Sequence, residues 1–170
     1  VVPVVIPQLS TNNLGILRDT GPSQSGVNEF SPLFNRNQTR VQVDALAGNR
    51  DTLGDQLVLS GLSDTFAYAV GQLHYKTAGF VENGSAEKNA YDLFLNTQVS
   101  PNATFQMDAR IADFKIGETF FRFDPSSSIP TSIRENSDSL RINSHYVDTP
   151  DSDWILSTAF EDRERTDTYV

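Results

Sequence analysis

Two histidines, His74 and His145, are the only imidazoles in a chain of 170 residues, and each falls in a segment that reads as a separate strand. An imidazole works as acid or base when an oriented partner stands beside it. Neither histidine has a carboxylate or serine at a spacing that forces such an arrangement, so both read as side chains of a wet surface. Asp148, Asp151 and Asp153 crowd one turn and offer the oxygen ligands that Ca²⁺ prefers, although a solvated acidic turn is the plainer reading. The stretch Gly48 to Gly54 has neither the Lys-Ser/Thr pair of a phosphate loop nor a following helix. With no cysteine there is no thiolate nucleophile, thiolate metal site or disulfide. Asn37-Gln38-Thr39, Asn83-Gly84-Ser85 and Asn102-Ala103-Thr104 match the N-glycosylation tripeptide, a pattern short enough to recur by chance. No catalytic residue, metal or cofactor is assigned, and the chain is expected not to be an enzyme.

What remains is a set of polar side chains at regular intervals: Arg40, Asp44, Asp92, Asn96, Gln98, Asp108, Arg110, Arg141, Asn143 and His145. Interleaved Arg and Asp on one surface make a hydrated wall whose charges govern which solutes pass along it. The elements that carry them must present every second residue to the same side. Tyr91-Asp92-Leu93-Phe94-Leu95-Asn96-Thr97-Gln98-Val99 does so, and after Ser100-Pro101-Asn102-Ala103 the alternation resumes with Phe105, Met107, Ala109 and Ile111 against Gln106, Asp108 and Arg110. Period two marks a strand with one apolar and one wet face. The Tyr91–Ile111 hairpin is the clearest element in the chain.

Other strands fall around it. Val41, Val43, Ala45 and Ala47 alternate with Arg40, Gln42 and Asp44. A second strand covers about Asp55–Leu62. A third, Phe66–Tyr75, has faces that its own residues do not distinguish. After the hairpin, Glu118–Phe123 is a possible extension of the sheet. Leu140, Ile142, Ser144 and Tyr146, then Trp154, Leu156, Thr158 and Phe160, complete about seven strands. Residues 1–38, rich in Pro, Asn, Ser and Gly, read as an irregular lead-in; Val1–Ile6 would suit a short strand, and Asn28–Phe34 an ordered connector. The division expected is 1–38 as connector and 39–170 as sheet.

Connections between the strands alternate in length. Short ones fall near Gly61–Asp64, Pro101–Ala103 and Thr149–Asp151, and long ones at Gly79–Asn89 and Lys115–Ser137. In an antiparallel meander this gathers the tight turns at one end, as in outer-membrane barrels. Ser100-Pro101-Asn102 and Thr149-Pro150-Asp151 both have the residues of a type I turn. Four residues after each proline stands an aromatic on the apolar face, Phe105 and Trp154. Matching the faces across each hairpin requires an odd number of loop residues, about three.

Composition narrows the classes. Hydrophobic content of 38% and the absence of an apolar run near the roughly 20 residues of a spanning helix argue against a helical membrane protein, but not against a barrel. A net charge of −9 argues against nucleic acid as a partner, because phosphate neutralisation needs clustered Lys and Arg. The first residues carry no initiator Met or basic leader, and Arg163–Val170 stops without a cap, so both ends are expected to be cuts through a longer protein.

Several stretches carry a resemblance: Asn28-Glu29-Phe30-Ser31-Pro32-Leu33-Phe34 before a strand, then Gly54-Asp55-Gln56-Leu57-Val58-Leu59-Ser60-Gly61-Leu62. Gly71-Gln72-Leu73-His74-Tyr75, Gly79-Phe80-Val81-Glu82-Asn83 and Phe121-Arg122-Phe123-Asp124-Pro125 follow in order. Together they resemble bacterial outer-membrane β-barrel proteins similar to TonB-dependent receptors, of the kind often linked to tetratricopeptide repeats. The resemblance covers roughly Asn28 to Arg163. It implies a fragment of a porin-like barrel in the bacterial outer membrane, with a role in passage or uptake of solutes. Periplasmic repeats or a plug domain upstream, neither of which is in this chain, belong to the same implication. The resulting expectation is an all-β, antiparallel up-and-down meander forming part of a transmembrane barrel. Arg40, Asp44, Asp92, Asn96, Asp108, Arg110, Arg141 and His145 would face the lumen. Tyr91, Phe105, Tyr146, Trp154 and Phe160 would face outer-membrane lipid, the aromatics as a girdle. The alternative is a soluble, secreted β-sandwich that binds or adheres through its loops.

Overall fold

The computed structural model describes residues 36–80, 83–117 and 131–169. These form a single antiparallel sheet of seven strands in sequence order, without helices among the described residues. The strands are β1 (Gln38–Gly48), β2 (Thr52–Ser63), β3 (Phe66–Thr77), β4 (Ala86–Ser100), β5 (Ala103–Gly117), β6 (Thr131–Thr149) and β7 (Ser152–Tyr169). The meander expected from the alternation is present. It is open: β1 pairs only with β2 and β7 only with β6, and the sheet is not closed into a barrel. The lead-in segments, including Val1–Ile6 and Asn28–Phe34, and the extension at Glu118–Phe123 lie outside the described residues.

Connections are the two residues 64–65, 101–102 and 150–151 at one end of the sheet. At the other end they are residues 49–51, 78–85 and 118–130. The first two of these turns are also tied to the strand that follows the hairpin. The Gln98 amide donates to the Thr65 carbonyl at 2.9 Å, and the Val147 amide to the Asn102 carbonyl at 2.8 Å. The Asp64 turn is held by Asn37, whose Nδ2 donates to the Asp64 carboxylate at 2.7 Å while its Oδ1 accepts the Asp64 amide at 3.0 Å.

Both Pro-containing turns are two residues long, not three. The odd count comes from a bulge beside each: the register shifts between Gln98 and Ser100, and again between Val147 and Thr149. One extra residue per hairpin restores the match of faces, so Val99 and Asp148 do what a third loop residue would have done.

The strands also run further than the alternation indicated. β4 begins at Ala86 inside the expected polar connector, and β6 begins at Thr131 rather than near Leu140. Thr131–Ser139 and Glu161–Tyr169 pair in register through Ser132↔Thr168, Arg134↔Thr166 and Asn136↔Glu164. Apart from Ile133 and Tyr169 both segments are polar on both sides, so their period has little hydrophobic contrast to reveal it. Backbone pairing needs no such contrast.

Candidate functional site

Register determines which side chains share a face. Through Val41↔Leu59↔Val70↔Leu93↔Ala109↔Leu140↔Phe160 one row crosses all seven strands. The next row towards the tight turns contains Gly61, Tyr68, Leu95, Met107 and Ile142, and the one beyond it Phe66, Phe105 and Leu156. Tyr146 and Trp154 face each other in the row nearest those turns, while Tyr91 and Ile111 pair at the other limit. This is the apolar face. It resolves the third strand, whose Phe66, Tyr68 and Val70 belong here and whose Ala67, Ala69 and Leu73 belong to the opposite side. Tyr91, Phe105, Tyr146, Trp154 and Phe160 all lie on it.

The opposite face carries Arg40, Asp44, Asp92, Asn96, Asp108, Arg110, Arg141 and His145 together, as well as Gln98 and Asn143. Ala69↔Phe94↔Asp108↔Arg141 forms one of its rows, and Asn96↔Gln106↔Asn143↔Ser157 the adjoining one. Arg110 Nε stands 3.4 Å from the Asp92 carboxylate. Gln106 Nε2 donates to Asp108 at 3.1 Å, and the Ser157 hydroxyl to Asn143 Oδ1 at 2.7 Å. Positive and negative groups alternate, so the wall is dense in charge but has no large field of one sign.

Side-chain burial is confined to one face of the sheet. Every buried non-glycine side chain among the described residues sits on the face that carries the charges: the apolar Leu62, Leu73, Phe94 and three alanines, and with them Gln106 and Asn143 at 0% exposure and Asn96 at 1%. The apolar face is the exposed one: Val43 is 68%, Trp154 69% and Phe160 63% accessible. A one-layer sheet shelters side chains on one face only by curling towards it, so the polar face is concave. Large apolar side chains on a convex surface of this extent are a patch that asks for an apolar environment. Buried amides on the concave side, with Asn96 Nδ2 and Oδ1 among the atoms without a partner, ask for water or further polar groups.

The apolar band also runs obliquely across the strands. On β1 it spans Val41 to Ala47; on β7 it spans Trp154 to Phe160. Through the register, Phe160 aligns with Val41, so the band has moved by three rows, or six residues, between the two edges. Six residues are about 20 Å along a strand, and six inter-strand steps are about 29 Å. The strands are therefore inclined by roughly 35° to the normal of the band, within the usual tilt of strands in barrels. On β5, from Ala103 to Ile111, the band is about 27 Å long along the strand, or near 20 Å in height at that inclination. Beyond it the same face turns polar, with His74, Asp113 and Arg134, and Asp55 interrupts the band on β2 between Leu57 and Leu53.

Both histidines do have carboxylate partners, which sequence spacing did not reveal. His74 Nδ1 lies 3.1 Å from Asp55, directly opposite in the β2–β3 register. His145 Nε2 lies 2.8 Å from Asp153 across the β6–β7 hairpin. Cross-strand neighbours are distant in sequence, so only the register brings them together. An imidazole–carboxylate pair orients a ring but needs a third reacting group to do chemistry. Asp148 occupies the bulge and Asp151 the turn, while Asp153 is engaged by His145, so the three do not converge. Among the described residues no group of three or more metal-ligating side chains gathers. Comparison of the chain with family models, with curated proteins and with solved structures finds no match in any of the three.

Proposed function

We propose that this sheet is part of the wall of a bacterial outer-membrane β-barrel, non-enzymatic, through which solutes pass or are taken up. The observation that carries the reading is the one-sided burial: large apolar side chains cover the exposed convex face, while the sheltered concave face mixes charged and amide side chains with Leu62, Leu73, Phe94 and alanines. Lipid on the convex side and water on the concave side satisfy both at once. The oblique band supports it, since a flat bilayer crossing tilted strands must meet each successive strand at a shifted residue. The three two-residue turns share one end and the two longest connections, 78–85 and 118–130, the other, in agreement with barrels, whose periplasmic turns are short. On this reading Tyr146 and Trp154 sit at the periplasmic headgroup level, where aromatic girdles form. Arg40, Asp44, Asp92, Asp108, Arg110 and Arg141 line the interior. Further strands close the wall, because an open edge in lipid leaves backbone groups without partners. A link to TonB-dependent uptake and to tetratricopeptide repeats is the finer form of the same proposal, resting on the sequence resemblance alone.

The test is expression without detergent, with sedimentation to measure monomer fraction, then repetition in micelles. The expected result is aggregation in water and β-structure by circular dichroism only with detergent. A soluble, cooperatively folding monomer in water would overturn the membrane reading in favour of a secreted β-sandwich binding module.

A further inference from the structure

The polar face contains an apolar hollow. At the long-loop end of β1–β3, Gly54 stands between its cross-strand neighbours Leu46 and Tyr75. Where other residues would place a side chain, the glycine leaves a pocket of about 140 Å³, lined also by Leu73, Gln56 and Asp44. An added Cβ there would meet the Tyr75 ring at 3.4 Å and Leu46 Cβ at 3.6 Å, so the floor lies in van der Waals reach of both walls. Leu46 is 56% exposed, a large aliphatic side chain on the same face as the buried Leu73 and the carboxylate of Asp44. It stands on the edge strand β1, which pairs only with β2 among the described residues, and forms the outer wall of the hollow.

Size and chemistry narrow the occupant. An enclosed apolar cavity of about 150 Å³ lined by aliphatic and aromatic side chains accepts one benzene ring; this hollow has a similar volume but is open on its outer side, so it suits one face or edge of a ring. Tyr75 supplies an aromatic face for offset or edge contact with such a ring. The Asp44 carboxylate accepts one hydrogen bond from Gln42 at 2.9 Å and has acceptor capacity left for a donor on the ligand. We infer that the pocket over Gly54 is a binding subsite for a single aromatic ring bearing a hydrogen-bond donor, carried by a solute that enters the barrel interior. The inference rests on the reading of the polar face as that interior.

The experiment uses the full chain refolded in detergent, with 4-fluorobenzyl alcohol as the probe, followed by ¹⁹F NMR against empty micelles. Saturable binding above the micelle blank is expected. Gly54→Leu fills the hollow and is expected to weaken binding roughly tenfold or more, equivalent to about 1.4 kcal/mol. Leu46→Gln removes an apolar wall at an exposed position and is expected to weaken it several-fold. If Gly54→Leu loses its circular dichroism spectrum, Leu46→Gln decides. Binding no greater than the blank, or equal binding by the wild type and the folded variants, overturns the inference. If the chain instead proves to be a folded monomer in water, the barrel reading fails, and the same titration run without detergent decides the pocket separately, because β1–β3 alone build it.

Discussion

Ile142 is the position at which the lipid reading is most directly exposed to refutation. It lies in the row of Leu95, Met107 and Thr158, near the middle of the apolar band, and is 38% accessible. Asp138 is on the same strand and the same face, four residues towards the long loops, where it faces Asp162. Four residues are about 14 Å along the strand, or near 11 Å in depth at the inclination of the band. An arginine at the bilayer midplane of a barrel costs about 2–4 kcal/mol, whereas one near the interface costs about 0–1. Ile142→Arg should thus lower the folded-to-unfolded ratio by roughly 30- to 900-fold, at about 1.4 kcal/mol per tenfold, and Asp138→Arg by a few-fold at most. Reversible denaturant unfolding in phospholipid vesicles, followed by tryptophan emission from Trp154, measures both. Two variants within about 0.5 kcal/mol of each other would refute the depth argument. Water on that face would make a partly exposed substitution nearly neutral.

Gly61 is buried against Tyr68, and an added Cβ would fall 2.6 Å from its ring atoms; Gly61→Ala must displace the ring and should cost about 1–3 kcal/mol by the same unfolding assay, with Tyr68→Ala in the same chain removing most of the penalty. Arg110→Ala strips Asp92 of an ion partner on the sheltered face and should destabilise by about 1–3 kcal/mol, whereas Arg165→Ala, whose contact with Asp167 is exposed, should cost well under about 1 kcal/mol; equal losses for the two would contradict the concave, sheltered polar face. Asn37→Ala removes both hydrogen bonds that hold the Asp64 turn and should cost about 1 kcal/mol, with faster amide exchange at Asp64 as the local readout.

How far the chain could be read in advance depended on contrast between its two faces. Tyr91–Ile111 alternates large apolar with polar residues, and there both the strands and their faces were legible. Phe66–Tyr75 places small residues, Ala67, Ala69 and Gly71, on the concave face. Smallness reports crowding, not polarity, and the faces stayed ambiguous until pairing with Leu93 and Leu95 settled them. Apart from Ile133 and Tyr169, Thr131–Ser139 and Glu161–Tyr169 are polar on both sides, so a strand there leaves little periodic mark. The pairs His74–Asp55 and His145–Asp153, and the hollow over Gly54, depend on which residues lie opposite each other across strands, a relation that no spacing along one strand contains.

Residue order along the chain was enough for the β class, the central hairpin, the short turns at Pro101 and Pro150, and the grouping of the alternating charged residues on one face. Each of these follows from short-range rules: a period of two, the torsional preferences of Pro-Asn and Pro-Asp, and the order of polar and apolar residues. The folded sheet adds that the polar face is the concave one, that bulges at Val99 and Asp148 keep the faces matched, and that the apolar band crosses the strands at a slant. Curvature and register belong to the whole sheet. They arise from how seven strands twist and pair together, and no single strand carries them in its residues.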